Sequence, residues 1–138
     1  MVFACNWDGL SCIESAAHEG LSYPASVRVV RVSCLSRVHL GLILKAFELG
    51  ADGVILLGCE PGQCHYEIDS ECLGQEYEKA RQVLSLMGMG PERLVMAGMP
   101  RGDGRGFVHQ VNSFLGQISD ATALSTATVA GEKEAGSL

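Results

Sequence analysis

The strongest constraint on the fold is the run GVILLGC at residues 53–59, which contains no polar side chain. A strand with one face toward water alternates apolar and polar residues, whereas a strand that is buried on both faces does not. We therefore predict that residues 53–59 form a central strand of a parallel sheet, with helices covering both faces.

Three further strands and four helices are predicted around this run. The strands are rich in apolar and β-branched residues and cover residues 2–5, 27–34 and 93–97. The helices follow a period of 3.6 residues and cover residues 13–18, 38–49, 76–87 and 107–118. Arg28 and Arg31 should point to opposite faces of the second strand, which places it at a sheet edge. The result is an α/β fold, a small doubly wound parallel sheet of four strands in the flavodoxin-like order 2-1-3-4.

The chain length predicts one folded domain. With 138 residues and 47% apolar composition, the chain can bury a core without a metal or disulfide staple. We assign this domain to residues 1–119. Residues 120–138 are small, polar and turn-rich, which predicts a flexible C-terminal tail.

Charge and hydropathy exclude several classes of partner. The net charge is −6 and the ten Lys and Arg residues are scattered, which argues against a nucleic-acid surface. No apolar run approaches about 18 residues, so direct membrane insertion is not expected. The first residues also lack the pattern of a secretion signal. We expect a soluble cytoplasmic protein whose six cysteines are reduced rather than paired in disulfides.

Four cysteines are expected to meet at one edge of the sheet. Cys5, Cys34 and Cys59 each stand at the carboxyl end of a predicted strand, where ligands bind in open α/β sheets. Cys64 follows in the loop that leaves the third strand, and Gly62 lets that loop turn back so that Cys64 faces Cys59. The simplest alternative is that these cysteines only pack, as small apolar side chains do.

If the four thiols bind a cofactor, zinc and an iron-sulfur cluster are the candidates, because both accept all-cysteine coordination. The chain has no Cys-x2-Cys knuckle and does not need zinc to fold, which favours iron and sulfide. A thiol-based redox enzyme using Cys59 and Cys64 is disfavoured, since no Cys-x-x-Cys follows a strand. The loop after the first strand, CNWDGL, offers neither an FMN phosphate loop nor a phosphatase Cys-x5-Arg loop.

Several segments resemble the delta, iron-sulfur subunit of methyl-viologen-reducing hydrogenase. The resemblance covers roughly residues 3–97 and is most specific in GCEPGQCHY at residues 58–66. The other matching segments are CNW at 5–7, SRV at 36–38 after Cys34, and ILKAFE with GADG between residues 43 and 53.

The resemblance implies an electron-transfer subunit, without turnover of its own, that holds one 2Fe-2S cluster on Cys5, Cys34, Cys59 and Cys64. It also implies two partners in an anaerobic oxidoreductase complex: a hydrogenase or formate dehydrogenase-type donor, and a flavin iron-sulfur subunit like that of heterodisulfide reductase. The alternative is a structural zinc or docking subunit without redox activity.

One departure from the family concerns the first loop. The family usually has Cys-Asn-Trp-Cys there, whereas this chain has Asp8 at the last position. The four cysteines are then the ligands, unless Cys12 substitutes for one of them. Asp8 itself is expected to be a helix N-cap. Cys72 lies beyond an acidic stretch and is expected to be a spare surface or packing thiol.

Three further residues close to the cysteines in sequence each have two possible roles. Trp7 either shields the cluster from water or anchors the first loop by packing. His65 is expected to make a hydrogen bond near the cluster or to pack in its loop, because a Rieske-type iron needs two histidines. Arg37 either offsets the charge of four thiolates or forms a surface ion pair.

Overall fold

The computed structural model describes the backbone of residues 1–136 and the side chains of residues 1–69 and 71–120. Four strands alternate with four helices along the chain, in the α/β pattern that the sequence predicts. The strands are β1 (Val2–Cys5), β2 (Val29–Val32), β3 (Val54–Cys59) and β4 (Leu94–Met99). The helices are α1 (Asp8–His18), α2 (Leu40–Glu48), α3 (Ser70–Leu86) and α4 (Gly104–Gly136), with short 3₁₀ turns at Leu35–Arg37 and Pro91–Arg93.

The strands form one parallel sheet in the order β2-β1-β3-β4, which confirms the predicted topology. In register, Val2 of β1 lies between Val29 of β2 and Ile55 of β3. On β2, Val30 and Arg31 are exposed, as expected of an edge strand. The carboxyl ends of β1 and β3 therefore lie side by side, with the end of β2 next to β1.

Both faces of the sheet are covered, and the side chains of the central strands alternate between two cores. Val2, Ala4, Ile55 and Leu57 pack with α1 and α4 on one face. Phe3, Val54 and Leu56 pack with α2 and α3 on the other face. This two-residue alternation explains why residues 53–59 contain no polar side chain.

Three helices extend well beyond the predicted ranges. Helix α3 begins at Ser70, six residues before the predicted start at residue 76. Helix α1 begins at Asp8, five residues before the predicted start, because the loop after β1 is only Asn6 and Trp7. Helix α4 runs from Gly104 to Gly136, whereas the predicted helix covers 107–118. Side chains after Asp120 lie outside the described residues, so the assignment of a separate tail stays a prediction. Within the described part of the chain, no helix is both long and apolar enough to span a membrane.

Candidate metal centre

The four cysteines selected from the sequence line one cavity at the carboxyl edge of the sheet. Cys5 and Cys59 are the last residues of β1 and β3, and Cys34 lies two residues after β2. Cys64 comes from the loop between β3 and α3. The cavity has a volume of about 240 Å³, and its wall includes the apolar side chains of Leu35, Ile68, Leu73 and Met96.

The sulfurs of these cysteines are arranged as two pairs. Cys5 Sγ lies 3.8 Å from Cys59 Sγ, and Cys34 Sγ lies 3.9 Å from Cys64 Sγ. Among the described residues, no three His, Cys, Asp or Glu side chains are grouped closely enough to hold a single metal ion. The site therefore consists of two two-thiol half-sites that share one cavity.

The loop that carries Cys64 turns back as expected but delivers its thiol to a different neighbour. Gly62 has a φ of +78°, a left-handed conformation that glycine adopts without strain. The turn is closed by the N–H of Gln63, which donates to the carbonyl oxygen of Glu60 at 2.9 Å. The expected neighbour of Cys64 was Cys59. That thiol is paired with Cys5 instead, because both stand at the ends of adjacent strands.

The start of α1 donates main-chain hydrogen bonds to the Cys5–Cys59 pair. The N–H of Gly9 lies 3.2 Å from Cys5 Sγ. The pKa of the Cys59 thiol is raised to about 12, chiefly by burial. The N–H of Asp8 lowers this pKa by donating to the sulfur, whereas the Cys5 thiol and the Asp8 carboxylate raise it further. The metal-free Cys59 is thus a neutral thiol near pH 7, and a bound metal must displace its proton.

Cys12 and Cys72 do not line the cavity. Cys12 is fully buried in the core on the α1 and α4 face, where its thiol lies 3.2 Å from the carbonyl oxygen of Pro100 and donates to it. Burial also raises the pKa of the Cys12 thiol. Cys72 is exposed on α3.

Asp8 occupies a different place from the one predicted. It is the first residue of α1 rather than its N-cap, which is Trp7. Its carboxylate is buried and accepts a hydrogen bond from Arg101 Nε at 3.0 Å. Sequence reasoning missed Arg101, although this arginine follows the carboxyl end of the fourth strand and so belongs to the same sheet edge as the cysteines.

Aromatic rings join the loop after β1 to the loop after β3. The rings of Trp7 and His65 are stacked with centroids 3.5 Å apart and an interplanar angle of 17°. Tyr66 meets both rings edge-on. Trp7 thus anchors its loop by packing, one of its two predicted roles, and His65 packs within this aromatic group. Trp7 Nε1 is the one buried side-chain nitrogen or oxygen without a partner among the described side chains.

Arg37 follows Cys34 by three residues and ends the 3₁₀ turn after β2. It is exposed and lines a separate cavity of about 410 Å³ together with Cys34 and Tyr66. Its two predicted roles, offsetting the charge of the thiolates and forming a surface ion pair, stay predictions.

Comparison with known proteins finds a family model and relatives that are named as hydrogenase subunits. The family model described as methyl-viologen-reducing hydrogenase, delta subunit, matches residues 1–121. The vhc iron-sulfur subunit of the F420-non-reducing hydrogenase of Methanococcus voltae is 33% identical over 116 residues, covering 84% of this chain and 81% of the relative. The iron-sulfur subunit of the F420-non-reducing hydrogenase of Archaeoglobus profundus is 34% identical, covering 80% of this chain and 81% of the relative.

A second kind of relative is much longer than this chain. It is a subunit of the Ferredoxin/F(420)H(2)-dependent CoB-CoM heterodisulfide reductase of Methanosarcina acetivorans, 28% identical over 120 residues. That match covers 87% of this chain but only 15% of the relative. The same domain thus occurs both as a chain of similar size and as a small part of a larger protein.

Proposed function

Because the chain belongs to the family of the methyl-viologen-reducing hydrogenase delta subunit, we propose that it carries one 2Fe-2S cluster on Cys5, Cys34, Cys59 and Cys64. In this proposal the protein is an electron-transfer subunit of an oxidoreductase complex and has no turnover of its own. The iron-sulfur subunits among its relatives support this reading of the family.

The pairing of the sulfurs is the observation that carries the proposal. Two thiolates on one tetrahedral metal, each about 2.3 Å from it, lie about 3.8 Å apart. The separations of 3.8 Å for Cys5–Cys59 and 3.9 Å for Cys34–Cys64 match that value. A 2Fe-2S cluster needs two such pairs, one on each iron, whereas a single zinc needs all four sulfurs at this spacing from one another.

The residues around the thiols suit a cluster that carries negative charge. The N–H groups of Asp8 and Gly9 donate to Cys59 and Cys5, and such bonds stabilise thiolates. The apolar wall provided by Leu35, Leu73 and Met96 limits the access of water. The unpartnered Nε1 of Trp7 is a further buried donor in the adjoining loop. When bound, the cluster supplies one-electron transfer, and the chain supplies its ligands, donors and shielding.

The proposed partners follow from the two kinds of relative. The donor is a hydrogenase or formate dehydrogenase-type subunit, and the acceptor is a heterodisulfide reductase-like flavin iron-sulfur subunit. Hydrogenase and heterodisulfide reductase names among the relatives support such a complex. We place the complex in the cytoplasm, where the six cysteines remain reduced. No role for nucleic acid is proposed, given the net charge of −6.

Anaerobic purification tests the proposal directly. The expected product is brown and contains about two irons and about two acid-labile sulfides per chain, with an electron paramagnetic resonance signal after reduction by dithionite. A colourless protein with one zinc per chain would overturn it in favour of a structural or docking subunit, which is the alternative that all-cysteine coordination also allows.

A further inference from the structure

Three hydrogen bonds connect the loop after β4 to the N-terminal part of α1. Arg101 Nε donates to Asp8 Oδ1 at 3.0 Å, and the N–H of Gly102 donates to Ser11 Oγ at 3.0 Å. The third bond is the one from the Cys12 thiol to the carbonyl oxygen of Pro100, at 3.2 Å. Residues 100–102, which we name the β4 strap, thus fix the position of the α1 N-terminus.

The α1 N-terminus is itself in direct contact with two of the proposed ligands. The N–H groups of Asp8 and Gly9 donate to the sulfurs of Cys59 and Cys5. Gly9 also lies so close to β3 that a β-carbon there would be 2.5 Å from the carbonyl oxygen of Leu57. The β4 strap therefore contacts the same end of α1 that donates to this pair of thiols.

The charges at this turn oppose and balance each other. Asp8 places a carboxylate, only 11% exposed, beside the Cys5–Cys59 pair, where its field disfavours further negative charge on the Cys59 sulfur. The Arg101 guanidinium forms an ion pair with that carboxylate, and the side chain of Arg101 is 72% exposed. With both residues present, the pair contributes no net charge next to the sulfurs.

We propose that Arg101 is a positioning residue for the cysteine centre, which neutralises Asp8 and thereby sets the reduction potential of the cluster. This inference rests on the proposed function, since a potential is defined only if the cluster is present. Arg101 touches neither the cavity nor any of the four thiols in the described structure; it acts through Asp8.

The inference predicts opposite effects for the two halves of the ion pair. Arg101→Gln leaves a buried carboxylate uncompensated beside the sulfurs, so the cluster accepts an electron less readily and its potential falls. Asp8→Asn removes the carboxylate and leaves the cation, so the potential rises. Changing both residues together restores a neutral pair and should return the potential toward that of the unmodified protein.

A redox titration of the purified holoprotein measures these effects. At the midpoint potential of the unmodified protein, the ratio of reduced to oxidised cluster should fall about three- to tenfold in Arg101→Gln and rise by a similar factor in Asp8→Asn. A tenfold change corresponds to about 59 mV for a one-electron couple. Arg105→Gln is the matched control, because Arg105 is 85% exposed and pairs with Glu19, 3.6 Å away. The potential of the cluster should not change in this variant.

The possible results separate this inference from the function on which it rests. If the unmodified protein lacks iron and sulfide, the proposed function fails. If that protein holds the cluster but the two variants shift in the same direction, or neither shifts, only the role of Arg101 is refuted. If Arg101→Gln does not assemble the cluster, Arg101→Lys replaces it: an unchanged potential supports neutralisation by charge, and a shifted one contradicts it.

Discussion

Replacing Gly9 by alanine tests how closely α1 approaches the sheet beneath the cysteine centre. The new β-carbon would lie 2.5 Å from the carbonyl oxygen of Leu57 and 3.3 Å from Cys5 Sγ. Leu57 is fully buried in β3, so its carbonyl group cannot move away cheaply. Forcing an extra carbon into such a contact costs about 1–3 kcal/mol, and we expect the upper end of that range here.

The helical position offsets part of this cost. Alanine is about 1 kcal/mol more favourable than glycine inside a helix, so the net loss of unfolding free energy for Gly9→Ala is about 2 kcal/mol. Gly74→Ala is the matched control. Gly74 lies in α3, where a β-carbon would meet no atom within 4 Å, so the same substitution should stabilise the protein by about 1 kcal/mol.

Urea denaturation of the metal-free protein under reducing conditions gives the comparison. The midpoint should fall for Gly9→Ala and rise for Gly74→Ala, with unchanged slopes, and the two variants should differ by about 3 kcal/mol. If Gly9→Ala were as stable as Gly74→Ala, the close contact of α1 with β3 would be refuted, and with it the placement of the N–H donors at Cys5 and Cys59.

Three other outcomes are expected of the metal-free protein. Iodoacetamide should label the exposed Cys72 rapidly, and should label the buried Cys12, whose thiol pKa is raised, only on unfolding. Mass spectrometry of timed samples measures both labelling rates, and equal rates for the two cysteines would contradict this expectation. The pKa of Cys59 is raised from 9.0 to about 12 in the folded protein, so the neutral thiol contributes fully to stability below about pH 9, and this contribution is lost as the pH rises toward 12. The urea midpoint should therefore decline less steeply over that range in Cys59→Ser than in the unmodified protein. Trp7 is half-buried, so Trp7→Ala, which removes the stack on His65, should cost about 2 kcal/mol of unfolding free energy. Trp7→Phe, which retains a ring, should cost less than half of that, and equal losses would show that the stack contributes little.

The architecture could be predicted because the apolar pattern of a strand indicates whether it lies in the centre or at the edge of the sheet. The unbroken apolar run at residues 53–59 requires burial on both faces, and the arginines of the second strand require an edge. Together these two facts leave few parallel topologies. The convergence of Cys5, Cys34 and Cys59 followed from that order, because the carboxyl ends of neighbouring parallel strands meet at one edge.

The remaining features leave little or no pattern in the local sequence from which they could be predicted. The start of α1 was missed because its buried face is made of small or polar residues, namely Asp8, Gly9, Cys12 and Ala16, which give a weak apolar period. The pairing of Cys64 with Cys34 depends on how the Pro61–Gly62 turn is directed in space. Arg101 meets Asp8 across 93 residues of sequence, so no local pattern could connect them.

Cysteine-to-serine substitution tests the central claim that two pairs of thiols hold one 2Fe-2S cluster. Each of Cys5→Ser, Cys34→Ser, Cys59→Ser and Cys64→Ser should lose the cluster or change its absorption and paramagnetic resonance spectra. Cys12→Ser, whose hydroxyl can still donate to the carbonyl oxygen of Pro100, and Cys72→Ser should retain about two irons and two sulfides per chain with unchanged spectra. A cluster that is lost in Cys12→Ser but retained in Cys34→Ser would contradict the account.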